Sequence, residues 1–555
     1  MGLTPQSSYE RYAKELLDDP LATVSGREQC RASPRADETL ATPWVKPICY
    51  TRLMPSFFEK LFKGKATAHP APSQPQKGAT APSQPAQSEA ATTFGTAQTP
   101  SAPDGFDALY TRALSAAASK DFARAIPLYD QAIAARPASA EPYYKRANAL
   151  KDVGRLEEAL ASYDRAIELK PDYAYAFCNR GVVQQKLGLL PQALSSLDGA
   201  IALEPTDAVA HYNRAMVLQD CARWQEAAAS FDQAIALDPQ FSEAQYNRAL
   251  TLLFLGDFER GWAAFEWRWN NARRLAIGEV RSFQEPPWLG NHDITGKRLL
   301  LHSEAGLGDT LQFCRYAKLA AAQGATVLLE VQPPLVALLA GLQGVSQVLP
   351  SKGALPPFDY HCPLMSLPLA FNTTLDTIPA APRYLRNDAV KVEQWRRRLG
   401  ERTRPRIGLT WSGNANQPIE ARRRIALADW LPHLPREFEY FCLQKELREA
   451  DRVARDSSGL IVSFDDELDF PATGALCECL DLVVTVDTSL AHLSGALGQR
   501  TWVLLSFVPD WRWLRDRADS PWYPGMKLYR QQTAGDWSTV FARVASDLRR
   551  EFPTA

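Results

Sequence analysis

Four short stretches place chemistry-bearing residues where an apolar run gives way to a helical one. The first is "HSEAGLGDTLQF", His302–Phe313. Gly306 and Gly308 suit a sharp turn and the close approach of a ligand. Asp309 then falls near the first turn of the following helix, where the helix dipole favours its ionised form. Such a carboxylate can take a proton from a hydroxyl as a general base. It can equally be a helix cap, since Asp is favoured there. The second stretch is "TVDTSLAHLSGALG", Thr485–Gly498. Asp487 ends a strand, and Thr488 and Ser489 open a helix whose N–H groups and hydroxyls form a seat for phosphate. His492, one turn in, either donates to that phosphate or to a sugar, or is an ordinary helical histidine. The third, "GLTWSGNANQPIEARRRIAL", closes a strand with Thr410 and Ser412 and carries Arg422, Arg423 and Arg424 ahead of the next helix. The forked guanidinium groups of Arg423 and Arg424 fit phosphate oxygens, and a run of arginines also makes a solvated surface. In the fourth, "FCLQKE", Gln444 and Lys445 leave a strand end, placed either to reach a base or phosphate or to sit in an exposed loop.

Those stretches need strands and helices to hold them. "RLLLHS", "ATVLLEV" and "SQVLP" have the apolar continuity of buried strands; "RIGLTWS", "FEYFCLQ", "GLIVSF", "DLVVTVD" and "TWVLLS" form a second series. Strands alternating with helical stretches imply parallel sheets covered by helices, with ligands bound beyond the carboxyl ends of the strands. The expectation is two Rossmann-like domains, residues 297–386 and 404–555, joined by the polar, basic connector "RNDAVKVEQWRRRLGERTRPR". The aromatic run Phe507–Met526 carries Trp511, Trp513, Trp522 and Tyr523. These side chains are costly to leave wet. They are expected to pack the cleft between domains or meet the tryptophans of the preceding segment, with sugar stacking as the alternative.

Ahead of the strands the chain repeats itself. Pro103, Pro137, Pro171, Pro205 and Pro239 are 34 residues apart. Small residues keep the same register at Ala113, Ala147, Gly181, Ala215 and Ala249, and again at Ala125, Ala159, Ala193, Ala227 and Gly261. A large residue follows four positions later: Tyr129, Tyr163, Leu197, Phe231 and Phe265. Small residues let paired helices approach closely, and the large one fills the gap to the next pair. This pattern resembles the tetratricopeptide repeat, with five units over residues 103–272 forming an α-helical solenoid. The last unit departs from it. "GWAAFEWRWNNAR" holds three tryptophans and puts Arg268 where a small residue is expected, as suits a terminal repeat that docks onto something else.

Residues 1–102 read as a disordered or linker region, dominated between 66 and 103 by Pro, Ala, Ser, Gln and Thr. Within it, Phe57, Phe58, Leu61 and Phe62 of "MPSFFEKLFKGK" share one helical face. That makes either a weak membrane-surface contact or a short terminal helix. Met54 is a plausible start, which N-terminal sequencing of the expressed protein would test. The formal net charge of −1 lacks the basic footprint of a nucleic-acid binder. No apolar run reaches the roughly 18 residues needed to span a bilayer, and the N-terminus carries no secretory core. Nine scattered cysteines show neither disulfide nor zinc spacing. A reducing cytoplasm is the expected location. Neither GxGxxG nor GxxxxGK[ST] is present, which disfavours dinucleotide redox enzymes and P-loop ATPases. "FDDELDF" clusters acids without the spacing of a manganese-binding sugar transferase. The expectation is therefore no metal and no cofactor, with a leaving group stabilised by helix dipole, arginine and lysine.

Taken together, "GLGDTLQF", "GLTWSGN", "TVDTSLAHLSGALG" and "PDWRWLRDRADSPWYP" resemble the C-terminal domain of bacterial tetratricopeptide-repeat glycosyltransferases, which is similar to the heptosyltransferase family (family 9) of GT-B fold. The resemblance implies that Asp309 is the general base. It also implies that the segment Asp487–His492 holds the ribose, phosphates and sugar of a donor, although Ser489 stands where that family usually has glycine. The family's phosphate-binding lysine has no counterpart, and Arg423 or Arg424 is the implied substitute. Asn179, Asn213 and Asn247 recur every 34 residues, each followed by arginine, and Lys145 breaks the ladder. In the eukaryotic O-linked N-acetylglucosamine transferases, asparagines at this repeat position hold an extended peptide. The same register implies a protein acceptor, while packing between repeats is the plainer role. The expected activity is thus inverting, metal-independent transfer from a nucleotide-diphosphate sugar to a protein. The alternatives are a glycan or lipid-linked acceptor, and a non-catalytic scaffold with a degenerate GT-B block.

Overall fold

The computed structural model describes residues 105–270, 281–415, 419–464 and 468–553. The expectations for residues 1–102, including the Phe57–Phe62 face and the linker, lie outside the described residues. So do the acids at 465–467. The described chain falls into two compact units, residues 105–203 and residues 204–553.

The first unit is three antiparallel helix pairs: α1 Phe106–Ala118 with α2 Phe122–Ala135, α3 Ala140–Asp152 with α4 Leu156–Leu169, and α5 Ala174–Lys186 with α6 Leu190–Leu203. The small residues of the 34-residue register lie at the crossings. Ala113, Ala125, Ala147 and Ala159 are fully buried, and Tyr163 fills the gap between pairs. At Gly181 even one methyl group is excessive, because a β-carbon would stand 2.7 Å from Leu197 Cγ. Arginine and serine couple the pairs laterally. Arg146 binds Asp130 and Ser162 at 2.6 Å each, and Arg180 binds Asp164 at 2.9 Å and Ser196 at 3.0 Å.

The second unit opens with two more pairs: α7 Ala208–Asp220 with α8 Trp224–Leu237, and α9 Ser242–Leu255 with α10 Phe258–Phe265. It continues into two parallel sheets with helical connections. Strands β1 Arg298–His302, β2 Thr326–Val331, β3 Gln347–Pro350 and β4 Tyr360–Pro363 are ordered β3-β2-β1-β4. Strands β5 Arg406–Thr410, β6 Glu439–Cys442, β7 Ile461–Val462, β8 Leu482–Val486, β9 Thr501–Leu505 and β10 Met526–Arg530 are ordered β10-β9-β8-β5-β6-β7. The interior strands "RIGLT" and "LVVTV" are buried along their whole length, as parallel strands covered on both faces must be. The two strands that the apolar pattern does not reveal, β4 and β10, are both edges, where His, Lys and Arg interrupt the apolar run.

Helix α11, Leu307–Phe313, follows β1. The expected polar connector contains α12, Ala389–Leu399. Asp388 caps its start by accepting from Val390 N–H at 2.8 Å, and Gly400 ends it at φ +67°. Helix α13, Ser489–Ala496, follows β8, and α14, Ser538–Glu551, packs its apolar residues against Trp430 and Trp502 in a separate core.

The terminal repeat is built into this unit rather than appended to it. One apolar core runs from Trp224 and Phe254 through Trp262 and Phe265 to Leu301, Phe313, Trp511 and Trp522. Trp262 meets Trp511 edge-on at 5.4 Å between ring centroids, and its N–H donates to Thr373 O at 3.0 Å. The aromatic run thus meets the tryptophan of the last repeat, one of the two placements expected for it.

Candidate functional site

The carboxyl ends of β1 and β8 carry the two helices that define the site, α11 and α13. Gly308 and His492 are in direct contact: a β-carbon at 308 would lie 2.8 Å from His492 Cδ2. The glycine therefore permits close approach, but of a helix rather than a ligand. Neither Gly306 nor Gly308 has a positive φ, and Gly306 is extended at φ −71°. The expected sharp glycine turn is replaced by extended backbone at Gly306 and by helix at Gly308.

Asp309 fills one of its two expected roles, the cap, with one oxygen, and pairs with an arginine through the other. Its Oδ2 accepts from Gly306 N–H at 2.8 Å, which caps α11. Its Oδ1 accepts from Arg512, a buried residue of the loop after β9. Arg512 also donates to Asp510 Oδ1 and Gln312 Oε1, each at 2.8 Å, and lies over the Trp511 ring. Burial pushes the Asp309 carboxyl above the usual carboxylate range, Arg512 pulls it back, and Asp510 and Glu304 add to the rise. The Asp309 side chain keeps 22% of its surface exposed, enough for a ligand to reach it. Arg512 is the residue that the sequence pattern conceals. It stands between Trp511 and Trp513, in a run whose tryptophans draw attention to packing.

Across from it, Thr488 caps α13 by accepting from Leu490 N–H at 3.3 Å. Asp487, Thr488 and Ser489 are only half-buried, so the helix start is partly exposed. The Asp487 carboxyl is pushed up to about 6, by burial first and then by Asp510, with Arg423 and Arg512 opposing.

The arginine run divides three ways. Arg422 pairs with Asp220 at the end of α7 at 3.1 Å, Arg424 is exposed, and Arg423 turns inward and donates to Asp487 O. Buried Glu420 sets that direction, since it accepts from Gly413 N–H at 2.9 Å, Arg423 Nε at 3.0 Å and Arg448 Nη2 at 3.0 Å. Of the two arginines considered for phosphate, only Arg423 is brought to the α13 end.

Most of the remaining residues are engaged with their neighbours. Gln444 spends its amide on structure, its Oε1 accepting from Ser412 N–H at 3.1 Å and its Nε2 donating to Glu446 O at 3.2 Å. Thr410 and Ser412 are buried beside it, and Lys445 is exposed. His492 is buried, bonded through Nδ1 to Tyr523 Oη at 2.9 Å and stacked on Trp513. Burial, with Arg512 and Arg315, holds its pKa well below the ordinary histidine value. Its ring is thus packed between α11 and the aromatic run. Asn179 gives its amide to Tyr144 Oη at 3.1 Å and Asn148 Oδ1 at 3.2 Å, and Asn247 gives its amide to Glu243 O at 2.9 Å and Tyr212 Oη at 3.3 Å. Both ladder positions are thus engaged in packing between repeats; Asn213 also has a partner.

Among the described residues, no group of three or more His, Cys, Asp or Glu side chains is placed to hold a metal ion. No described helix is long and apolar enough to cross a membrane.

Family models match the helical part. Tetratricopeptide-repeat models match residues 86–140, 147–188 and 208–241. Protein FlbA of Caulobacter vibrioides is 26% identical in an alignment of 324 residues that covers 54% of this chain and 53% of that protein. The chain thus spans about half the length of the curated relative it matches. Among solved structures, MamA is 22% identical over 30% of this chain and 96% of its own, with a TM-score of 0.28. YrrB, a TPR protein with an unusual peptide-binding site, is 21% identical over 32% of this chain and 100% of its own, with a TM-score of 0.28. The helical part of this chain is built of tetratricopeptide repeats, followed by an α/β region of two parallel sheets.

Proposed function

We propose that the α/β region is a GT-B glycosyltransferase that moves a sugar from a nucleotide-diphosphate donor to a protein or peptide presented by the repeats. The observation that carries this reading is the juxtaposition of Asp309 with the partly exposed start of α13, through the Gly308–His492 contact. In this scheme the donor diphosphate sits on the N–H groups of Thr488 and Ser489, with Arg423 beside it. Asp309 faces the acceptor hydroxyl. That oxygen bonds to the anomeric carbon from the side opposite the diphosphate, the carbon–phosphate oxygen bond breaks, and the hydroxyl proton passes to the Asp309 carboxylate. The configuration inverts. Arg512 must release Asp309 Oδ1 for this to happen, and a diphosphate entering the crevice supplies a competing anion for its guanidinium group. The fixed dipole of α13 and Arg423 stabilise the leaving group without metal, in the manner of a preorganised anion site.

The repeats supply the acceptor surface, since stacked repeats of this kind form extended surfaces that bind peptides or proteins. A second reading, a repeat scaffold whose α/β region is silent, is favoured by one observation: both Asp309 oxygens are occupied. The two readings separate on a panel of UDP-, ADP-, GDP- and dTDP-sugars offered to the purified chain. Transfer predicts that one donor binds and is slowly hydrolysed, and that Asp309→Asn lowers the rate by about 10²–10⁴ without weakening donor binding. A panel with no bound donor supports the scaffold.

A further inference from the structure

The loop that carries the proposed base is pinned residue by residue, each time by a different element. Ser303 N–H donates to Glu330 O at 3.0 Å, in β2. Ala305 O accepts from Gln332 Nε2 at 2.9 Å. Gly306 N–H is held by Asp309 itself. The remaining residue, Glu304, is held from the helical repeats. Arg268 Nε and Nη2 grip its two carboxylate oxygens at 2.8 and 2.9 Å, and Met365 N–H adds a third bond at 3.1 Å.

Arg268 is 2% exposed, and its other donors are also committed, to Glu266 at 2.5 Å, Ser366 Oγ at 2.6 Å and Phe265 O at 3.2 Å. A buried, bidentate pair of this kind gains little net stability over apolar packing, so its geometry is its clearest contribution. It also explains the odd residue of the last repeat. A small side chain there would serve helix packing, whereas the arginine reaches out of the repeat into the loop.

We infer that Arg268 is a positioning residue for Asp309: by gripping Glu304 it fixes the loop between β1 and α11, so the terminal repeat is a working part of the site. This rests on reading Asp309 as the base. The charges facing Asp309 are Arg512 and Asp510 from the loop after β9 and Glu304 from its own loop; Asp487 acts through Arg512, and His492 on α13 is neutral. Arg268 neutralises Glu304. Loss of Arg268 leaves a bare carboxylate near Asp309, and loss of the Glu304 charge removes one.

The test is a carboxyl titration of the full chain labelled with ¹³C at aspartate Cγ, with Asp309 assigned by its loss in Asp309→Asn. Arg268→Met is expected to move the Asp309 titration to higher pH, and Glu304→Gln to move it to lower pH. Arg268→Lys, which keeps the charge and loses the fork, should leave the titration near its native position. The same variant should raise amide exchange across residues 303–309 about tenfold, with the second sheet unchanged. A merely structural role gives no opposite signs. Shifts in one direction for both Arg268→Met and Glu304→Gln, or no shift in either, overturn the inference. If Arg268→Met does not fold, Glu304→Gln and Arg268→Lys decide it alone. The result is independent of turnover: a chain that binds no sugar nucleotide yet shows both the opposite shifts and the faster 303–309 exchange of Arg268→Lys keeps the positioning and loses the reaction, whereas unchanged exchange in Arg268→Lys overturns the positioning.

Discussion

The ends of β1 and β8 look alike in sequence, each a strand running into a helix with an acid at the junction, and they are organised in opposite ways. At the β1 end every residue of the loop is pinned, and the carboxylate is already paired with Arg512. At the β8 end order resides behind the helix start, in buried Glu420 and the arginines it directs. One end holds its carboxylate in a fixed place; the other leaves the start of its helix partly exposed. The comparison teaches that the residue to be read at each end is the one behind the motif: Arg268 and Arg512 for Asp309, Glu420 for Arg423.

The largest effect is expected from removing what lies behind the second end. Glu420→Gln leaves Arg423, Arg448 and Gly413 N–H around a weakened acceptor, and breaking a buried pair of this kind costs about 3–5 kcal/mol. Urea unfolding measures it, and a loss under 1 kcal/mol would show that Glu420 is not the organiser of that end.

Next comes pH, where the carboxyls and the imidazoles near the two ends have opposite signs. Beneath the first end, His302 Nε2 and His361 Nδ1 lie 3.2 Å apart in the core. Burial first, then Arg281, lowers the His361 pKa from 6.5 to about 4. The unfolded chain binds that proton below about pH 6.5 and the folded one only near 4, so stability falls as pH falls through this window, by up to about 3 kcal/mol. Asp487 runs the other way. Its folded value near 6 exceeds the ordinary 3.8, so its contribution is lost as pH rises from 3.8 through 6. Asp309, also raised, has the same sign as Asp487, and His492 has that of His361. His361→Gln should therefore flatten the acid loss of stability, and Asp487→Asn should steepen it. Equal slopes in both variants would contradict the assignment.

Smaller again is the contact between the ends. Gly308→Ala drives a methyl group into His492, with an overpacking cost of about 1–3 kcal/mol in thermal or denaturant unfolding. A neutral Gly308→Ala would mean that the two helices are not held against each other. The smallest change is Thr488→Ala, which removes the α13 cap and about 1 kcal/mol of stability.

Much of this was legible in the residues. A 34-residue register of small and large side chains specifies paired helices because packing at the crossings tolerates little else, as Gly181 shows. The buried interior strands announce themselves by apolar continuity. Strands β4 and β10 do not, because His361 in one and Lys527 and Arg530 in the other break runs of only four and five residues. The helix α12 was hidden by its arginines, although Asp388 and Gly400 mark its ends. At the site, the positions of Asp309 and Thr488 follow from strand-to-helix handovers, which are local. Roles set by distant partners were not legible. Nothing near Gln444 says that its amide ties two strand ends together, and nothing near His492 says that Tyr523 and Trp513 will enclose it. Glu304, five residues before Asp309, reads as a loop acid until Arg268 is placed against it.

The central claim is that the two strand ends form one crevice for a sugar nucleotide. A crystal structure of the chain with the nucleoside diphosphate selected by the donor panel tests it most directly. The account predicts the diphosphate on the N–H groups of Thr488 and Ser489 with Arg423 against it, and Asp309 facing the same space with Arg512 drawn off its carboxylate. A diphosphate bound elsewhere, or seated on α13 with Asp309 turned away from it and still closed on Arg512, would contradict the account.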